Sequence, residues 1–481
     1  MRERLKSNLS KNVIEYLFAP SIETEQYRSF ESMMEVNRTH LTMLVSEGII
    51  TTEAGKKIKE ALEEIKAAGP EQLEIDPNLE DLYFNIEAAL IEKVGKEIGG
   101  QLHTGRSRND LYATVLRMNS RNSVLEICEL LIKLRRTLLT LAEKNKNVVM
   151  SAYTHMQPAE PITLGHYFSA ILYAIDRDFT RLKSSFDSIN YSPLGSGAIA
   201  STTFPINRKQ TAEQLSFTDI MGNSLDGVAS RDYILESLSA LNILANNISR
   251  LSQDLYIWST DEFSLVEVGD SVAASSSIMP QKKNPITLEH IKAKSGHVLG
   301  GLVSVTSIMK NTPYGHSRDI AGESHKGFWD AVAEVKAIII LMNETLETLT
   351  FKEERMLTKA KNNFSTVTEL ANVLVREANI SFREAHQIVG QLVSEMLESD
   401  TSVTEVTPEV IRDISYQVVG TELVISENSI KKALNPIENA KGKNVEGGPS
   451  PSAVKSQLNT LKIKLNQDDE WLKEQYQLLT D

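Results

Sequence analysis

The chain has 481 residues, 41% of them hydrophobic, and sets 51 Lys plus Arg against 64 Asp plus Glu, a formal net charge of −13. That balance excludes general binding to nucleic acid or to an anionic membrane surface, and the length suffices for two or three domains around a large core. A single cysteine, Cys128, excludes both an intrachain disulfide and a cysteine-rich metal cluster.

In chain order, the opening MRERLKSNLSKNVIEY has no apolar signal core, and no apolar run reaches the roughly 18 residues of a membrane span; a cytoplasmic protein is expected. Gly and Pro are absent from three windows, 106–157, 228–268 and 328–389, which are therefore helix-permissive. Ile127, Leu131, Leu134, Leu138 and Leu141 step by 4 and 3, and so do Leu241, Leu244, Ile248, Leu251 and Leu255. Such spacing is the buried seam of long packed helices. The window 166–192 reads as a further helix, and no alternating strand run stands out. The expected fold is all-α with a central bundle of long helices.

Gly/Pro-rich polar segments fall at the ends of these helices, where binding groups are usually placed. GGQLHTGRSRND (99–110) precedes the first long helix, YTHMQPAEPITLGHY (153–167) joins it to the next, and SPLGSGAIASTTFPINR (192–208) comes after that. Arg106 and Arg108 suit pairing with carboxylates, beside the polar side chains of Ser107 and Asn109. Alone, such a cluster is equally a capped helix start. Thr154 and His155 lie in the joining segment. In ASSSIMPQKKNPITLEH (274–290), three serines precede Lys282, Lys283 and Asn284, and a helix begins after Pro285. Lys282 and Asn284 are suited to stabilise negative charge, and the positive helix start favours an anion. A mobile surface loop has the same composition. The chain has no phosphate-binding G-x-x-x-x-G-K-S/T loop, no H-E-x-x-H and no nucleophile elbow.

Together these segments resemble the argininosuccinate lyase family of the fumarase/aspartase superfamily. SSSIMPQKKNP is similar to that superfamily's G-S-S-x-M-P-x-K-x-N-P, with Ser275 in the glycine position, and HTGRSRND resembles the version found in the argininosuccinate lyase branch. NSLDGVASRDYILE (223–236), FREAHQIVG (382–390) and GGPSPSAVKSQL occur in the family's order, so the likeness spans essentially the whole chain. It implies a three-domain, mainly α-helical protomer, with an N-terminal domain over 1–107, a central bundle over 108–355 carrying the signature loop 274–285, and a C-terminal domain over 356–481. It also implies a homotetramer whose active sites take residues from three subunits.

The implied reaction is an anti β-elimination that releases fumarate from an N-substituted aspartate, argininosuccinate being the leading substrate, with no cofactor or metal. Carried over by position, Ser276 matches the general base, while Lys282 and Asn284 match the groups that stabilise the carbanion. His155 matches a histidine that protonates the leaving nitrogen or orients a water, and Glu289 its carboxylate partner. Ser107, Arg108, Asn109 and Thr154 match substrate-binding positions, as does Ser21 in FAPSIE, although Ala19 replaces the family's asparagine.

One segment departs from the family. Where T-Y-N-K-D-x-Q-E-D-K is usual, this chain has PYGHSRDIAGESHKGFWD (313–330), placing His316, Ser317, Arg318 and Ala321 at the tyrosine, asparagine, lysine and glutamine. Asp319 is retained, and the last lysine becomes Ser324, or Lys326 after a two-residue insertion. His316, Arg318 and His325 would suit a leaving group with extra carboxylates. The alternative reading is accordingly a lyase for another N-succinyl amino acid or an ethylenediaminedisuccinate-type aminopolycarboxylate. A reading of another class is a non-catalytic, crystallin-like structural protein.

Overall fold

The computed structural model describes residues 7–480. In the N-terminal part, helix α1 (Ala19–Arg28) leads into α2 (Phe30–Ser46), which with α3 (Thr52–Ala68) and α4 (Leu82–Val94) builds a cluster that includes Phe30, Met33, Leu44, Ile58 and Leu82. Two of these helices start on side-chain caps, Thr51 accepting from the Ala54 amide and Asp81 from the Phe84 amide.

Helix α5 (Arg108–Lys144) starts on a capping box, with Ser107 and Asp110 each satisfying the other's backbone amide region. It runs 37 residues because nothing in its sequence breaks it. Its first turns, with Leu111, Val115 and Met118, close the N-terminal cluster, and its later turns, with Leu131, Leu134 and Leu138, enter the central one. The predicted seam is buried at Ile127, Leu131, Leu134 and Leu138, and Leu141 packs at its margin.

The segment joining α5 to the next helix is a β-hairpin, which corrects the expectation of a loop. Strands β1 (Val149–Thr154) and β2 (Gln157–Thr163) pair antiparallel from Val149↔Thr163 to Thr154↔Gln157. The two turn residues, His155 and Met156, have φ of 54° and 60°. Such primed turns usually take Asn-Gly, and Pro158 and Pro161 on β2 further disguised the ladder.

Helix α6 (Leu164–Ile189) then packs on α5 so closely that a Cβ on Gly165 would lie 2.6 Å from the Ala142 carbonyl oxygen. The central bundle is completed by α7 (Asp232–Ser259), α8 (Ile286–Met309) and α9 (Ser324–Thr348). Between α7 and α8, the two-residue strands β3 (Ala274–Ser275) and β4 (Lys283–Asn284) pair and close the loop 276–282. The window 328–389 is not one helix. It breaks after Thr348, where Thr350–Phe351 pairs with Val266–Glu267 and the Lys352 amide donates to Leu265.

A third cluster is built by α10 (Val367–Ala378), α11 (Phe382–Glu398), α12 (Pro408–Val419) and α13 (Glu427–Leu434). The last helix, α14 (Pro451–Thr480), does not join it. Val454, Leu458, Leu461, Leu465 and Leu472 pack into the central cluster instead. Arg135 explains part of this return. Its buried guanidinium bonds Asp176 on α6 at 2.8 Å and Asp468 on α14 at 2.7 Å. Among the described residues no helix is long and apolar enough to cross a membrane.

Candidate active site

The loop 276–282 projects from the β3–β4 ribbon at the foot of α8. The Ser276 hydroxyl oxygen accepts from the Met279 amide at 3.1 Å and the Ile278 amide at 3.4 Å. The Lys282 amide closes the turn onto the Met279 carbonyl at 3.1 Å. Two N–H donors aimed at one hydroxyl oxygen stabilise its deprotonated form, which a serine acting as a base requires. The adjacent lysines differ. Lys283 is anchored to Glu267 at 3.1 Å and Asp270 at 2.6 Å, whereas Lys282 is exposed and makes no ion pair among the described residues. Asn284 is half-buried on β4, where its backbone pairs with Ala274. Glu289 is exposed in the first turn of α8 and accepts from the Tyr256 hydroxyl at 3.5 Å. Ile278, 82% exposed at the loop tip, marks the loop as standing clear of the core.

Thr154 and His155 are exposed at the tip of the β1–β2 hairpin. The left-handed backbone at His155 and Met156 costs free energy for non-glycine residues, and what it achieves is to project the imidazole from a rigid ribbon. Among the described residues no hydrogen bond or ion pair joins His155 to Glu289, or either to Ser276. The structure of one chain thus keeps the expected acid–base groups unpaired.

The remaining site residues do converge, at the N-terminal end of α5. Ser107 caps the helix, and Asn109 donates its side-chain N–H to the Ala198 carbonyl at 3.1 Å. Asp110, fully buried, accepts from the amides of Gly195 and Gly197 at 2.9 and 2.8 Å, tying the glycine loop to the helix start. Burial pushes its carboxyl up to about 6 despite these donors. Arg108 bonds Asp81 at 2.6 Å and lies 4.0 Å over the Phe84 ring. Arg318 approaches the same Asp81 oxygen at 3.8 Å. His316, half-buried, is held down to about 4 by burial and by the charges of Arg231, Arg318 and Arg108. Ser21 is exposed on α1 and donates to Glu25 at 3.3 Å.

Two acids in this cluster were not singled out from the sequence. Glu25 is pushed up to about 7 by burial and by the neighbouring Asp81, and its Oε2 has no hydrogen-bond partner. Asp81 reads locally as the cap of α4, a role it does fill, so only its pairing with Arg108 and Arg318 shows it as part of the site. Among the described residues no group of three His, Cys, Asp or Glu is placed to hold a metal ion.

Glu25 has a measurable signature. Its folded value lies above the ordinary 4.5, so the stability that the protonated carboxyl contributes is complete below 4.5 and is lost progressively as the pH rises to about 7. Glu25→Gln is expected to raise the melting temperature at pH 8 by the equivalent of about 1–3 kcal/mol, and to leave it unchanged at pH 4.5. Equal effects at both pH values in a thermal-melt series would rule out this origin.

The chain is similar to known proteins along nearly its whole length. A family model described as lyase matches residues 22–300, and one described as argininosuccinate lyase C-terminal matches residues 364–440. The chain is 51% identical to argininosuccinate lyase 1 of Shouchella clausii, over 99% of this chain and 96% of that one. It is 40% identical to argininosuccinate lyase of Methanocaldococcus jannaschii, with the same coverage of 99% and 96%. Among solved structures it is similar to an EDDS lyase in complex with formate, at a TM-score of 0.88 and 31% identity over 99% of this chain and 94% of that one. A class II fumarase from Schistosoma mansoni shares the fold at a TM-score of 0.70 and 15% identity, over 86% of this chain and 90% of that one.

Proposed function

The chain belongs to the argininosuccinate lyase family, within the fumarase/aspartase-like lyases, and from that premise we propose how its residues work. It is a carbon–nitrogen lyase, and its reaction is the cleavage of argininosuccinate to arginine and fumarate. The observation that carries the mechanism is the Ser276 oxygen held under two backbone amides.

In our reading, the Ser276 alkoxide takes the Cβ proton of the succinyl group. The electron pair moves onto the adjacent carboxylate, where Lys282 and Asn284 stabilise it. It then returns to form the double bond of fumarate as the C–N bond breaks, and the leaving nitrogen gains a proton. His155, oriented by Glu289 of a neighbouring copy, delivers that proton directly or through a water. Ser107, Arg108, Asn109 and Thr154 hold the succinyl carboxylates, and Ser21, His316 and Arg318 face the leaving amine.

Such a division of labour needs more than one chain. Support for a homotetramer comes from the outer face of the bundle, where Leu299 and Val303 on α8 are 48% and 58% exposed and Ile243 on α7 and Ile340 on α9 are exposed as well. We place the assembly in the cytoplasm, with its small-molecule substrate, fumarate and further copies of itself as partners.

A second reading, a lyase for an aminopolycarboxylate of the ethylenediaminedisuccinate type, is favoured by the three arginines whose charges meet at His316. Fumarate release followed by ultraviolet absorbance, with argininosuccinate beside a panel of N-substituted aspartates, decides between them. Rapid turnover of argininosuccinate is expected. Turnover of a panel member in its place would assign the rewritten 313–330 segment to a different leaving amine.

A further inference from the structure

Arg108 is held from one edge and one face. Its Nη1 donates to Asp81 Oδ2 at 2.6 Å and lies 3.6 Å from Glu80 Oε2, and its guanidinium lies 4.0 Å over the Phe84 ring. Among the described residues its Nε and Nη2 make no hydrogen bond, and the side chain is 30% exposed. Nε and Nη2 form an edge on which an arginine takes both oxygens of a carboxylate.

All three contacts come from one short stretch of chain. After the 3-10 turn Pro77–Leu79, the Asp81 amide donates across Glu80 to the Leu79 carbonyl at 3.0 Å. Glu80 is thereby set at φ 73° and ψ −30°, near the rare γ-turn with positive φ, a conformation that costs free energy in any residue but glycine. That turn places the carboxylates of two successive residues against the same nitrogen of Arg108.

Asp81 does a second thing. Its Oδ1 accepts from the Phe84 amide at 3.0 Å, which starts α4, so one carboxylate fixes both the arginine and the backbone of the ring beneath it. The starts of α4 and α5 are also tied directly, the Tyr83 amide donating to the Tyr112 hydroxyl at 3.2 Å. Arg318 reaches the same Asp81 oxygen at 3.8 Å, so two arginines match the two acids. A stacked, ion-paired guanidinium loses little freedom when an anion binds its open edge.

We propose that Glu80 and Phe84 are positioning residues for Arg108: with Asp81 they fix its guanidinium and present the Nε–Nη2 edge to a carboxylate of the succinyl group. The inference rests on the reading of Arg108 as a succinyl-binding residue. It concerns only the half of the substrate that becomes fumarate. Phe84 also packs at the margin of the N-terminal cluster, so its test must separate positioning from packing.

Fumarate is the probe, because its affinity does not depend on which amine leaves. Calorimetry on the unmodified enzyme and its variants gives Kd, and steady-state cleavage gives KM and kcat. Arg108→Met is expected to weaken fumarate by more than about 30-fold. Phe84→Leu should raise Kd and KM about 5-fold and leave kcat within about 2-fold, since the contact serves ground state and transition state alike. Phe84→Tyr keeps the ring and should bind like the unmodified enzyme. Glu80→Gly removes the carboxylate and relaxes the turn outside the core cluster, and should raise Kd about 3-fold. Equal weakening by tyrosine and leucine would make Phe84 a packing residue and overturn the inference. So would normal fumarate binding by both Phe84→Leu and Glu80→Gly while Arg108→Met binds poorly. An Arg108→Met variant that binds fumarate fully would instead overturn the placing of Arg108 on the succinyl group, and the clamp with it.

Discussion

Ser276→Ala lowers the rate of fumarate release by about 10²–10⁴-fold while leaving the protein's oligomeric state and melting temperature unchanged. The expectation rests on the geometry at the loop. The side-chain oxygen is the only part of Ser276 that the Ile278 and Met279 amides hold, and the residue packs against no core cluster. In the proposed mechanism removing the oxygen deletes the base, and it leaves two amides facing solvent, which costs the fold little. Because the proposed mechanism gives the substrate carboxylates to other residues, KM should change far less than kcat. Steady-state kinetics beside size-exclusion chromatography and a thermal melt make the check. Retained activity would remove Ser276 from the mechanism, and a variant that no longer assembles would show the loop to be structural. A purely structural, crystallin-like protein would have no activity to lose.

Arg135→Ala destabilises the protein by about 3 kcal/mol, at the lower end of what breaking a buried ion pair costs. The arginine is nearly inaccessible and ties α5 to α6 through Asp176 and to α14 through Asp468, with the Phe179 ring 5.1 Å from its guanidinium. Its loss leaves two carboxylates facing a cavity. Lys464 still pairs with Asp176 at 2.9 Å, and the Asp468 side chain is partly exposed, which is why the upper end is not expected. Arg135→Met fills much of the volume without the charge and should recover only part of the loss. Urea unfolding followed by tryptophan fluorescence is a suitable readout, because Trp471 on α14 stacks edge-on against Phe186. A shift below about 1 kcal/mol would mean that the hydrophobic seam alone holds α14 in place.

Much of the fold was legible because long helices announce themselves locally. Windows without Gly or Pro, and leucines stepping by three and four, sufficed to place α5 and α7, since helical propensity and a buried stripe act within one segment. The same reasoning failed at 328–389, where local permissiveness was overruled by pairing between Thr350–Phe351 and Val266–Glu267. It failed again at the hairpin, whose turn uses His155 and Met156 in place of glycine and whose second strand carries two prolines. Both misses have one cause: strand pairing is a non-local interaction, and neither segment advertises its partner.

The candidate site divides in the same way. Ser276, Lys282 and Asn284 lie within nine residues of one another, so their chemistry could be read from a single stretch of chain, and the capping box at Ser107 and Asp110 likewise. Glu25, Asp81 and Phe84 could not be read in this manner. Asp81 looks like a helix cap and Phe84 like one more core ring until packing sets both against Arg108. What makes Glu25 and Asp81 functional candidates is desolvation, together with the charges they meet from distant elements. The sequence by itself thus determined the helices and the reactive loop, because propensity, periodicity and a short motif are local properties. Only the tertiary structure decided where buried charge lacks a partner, because burial and charge proximity belong to segments far apart in the chain.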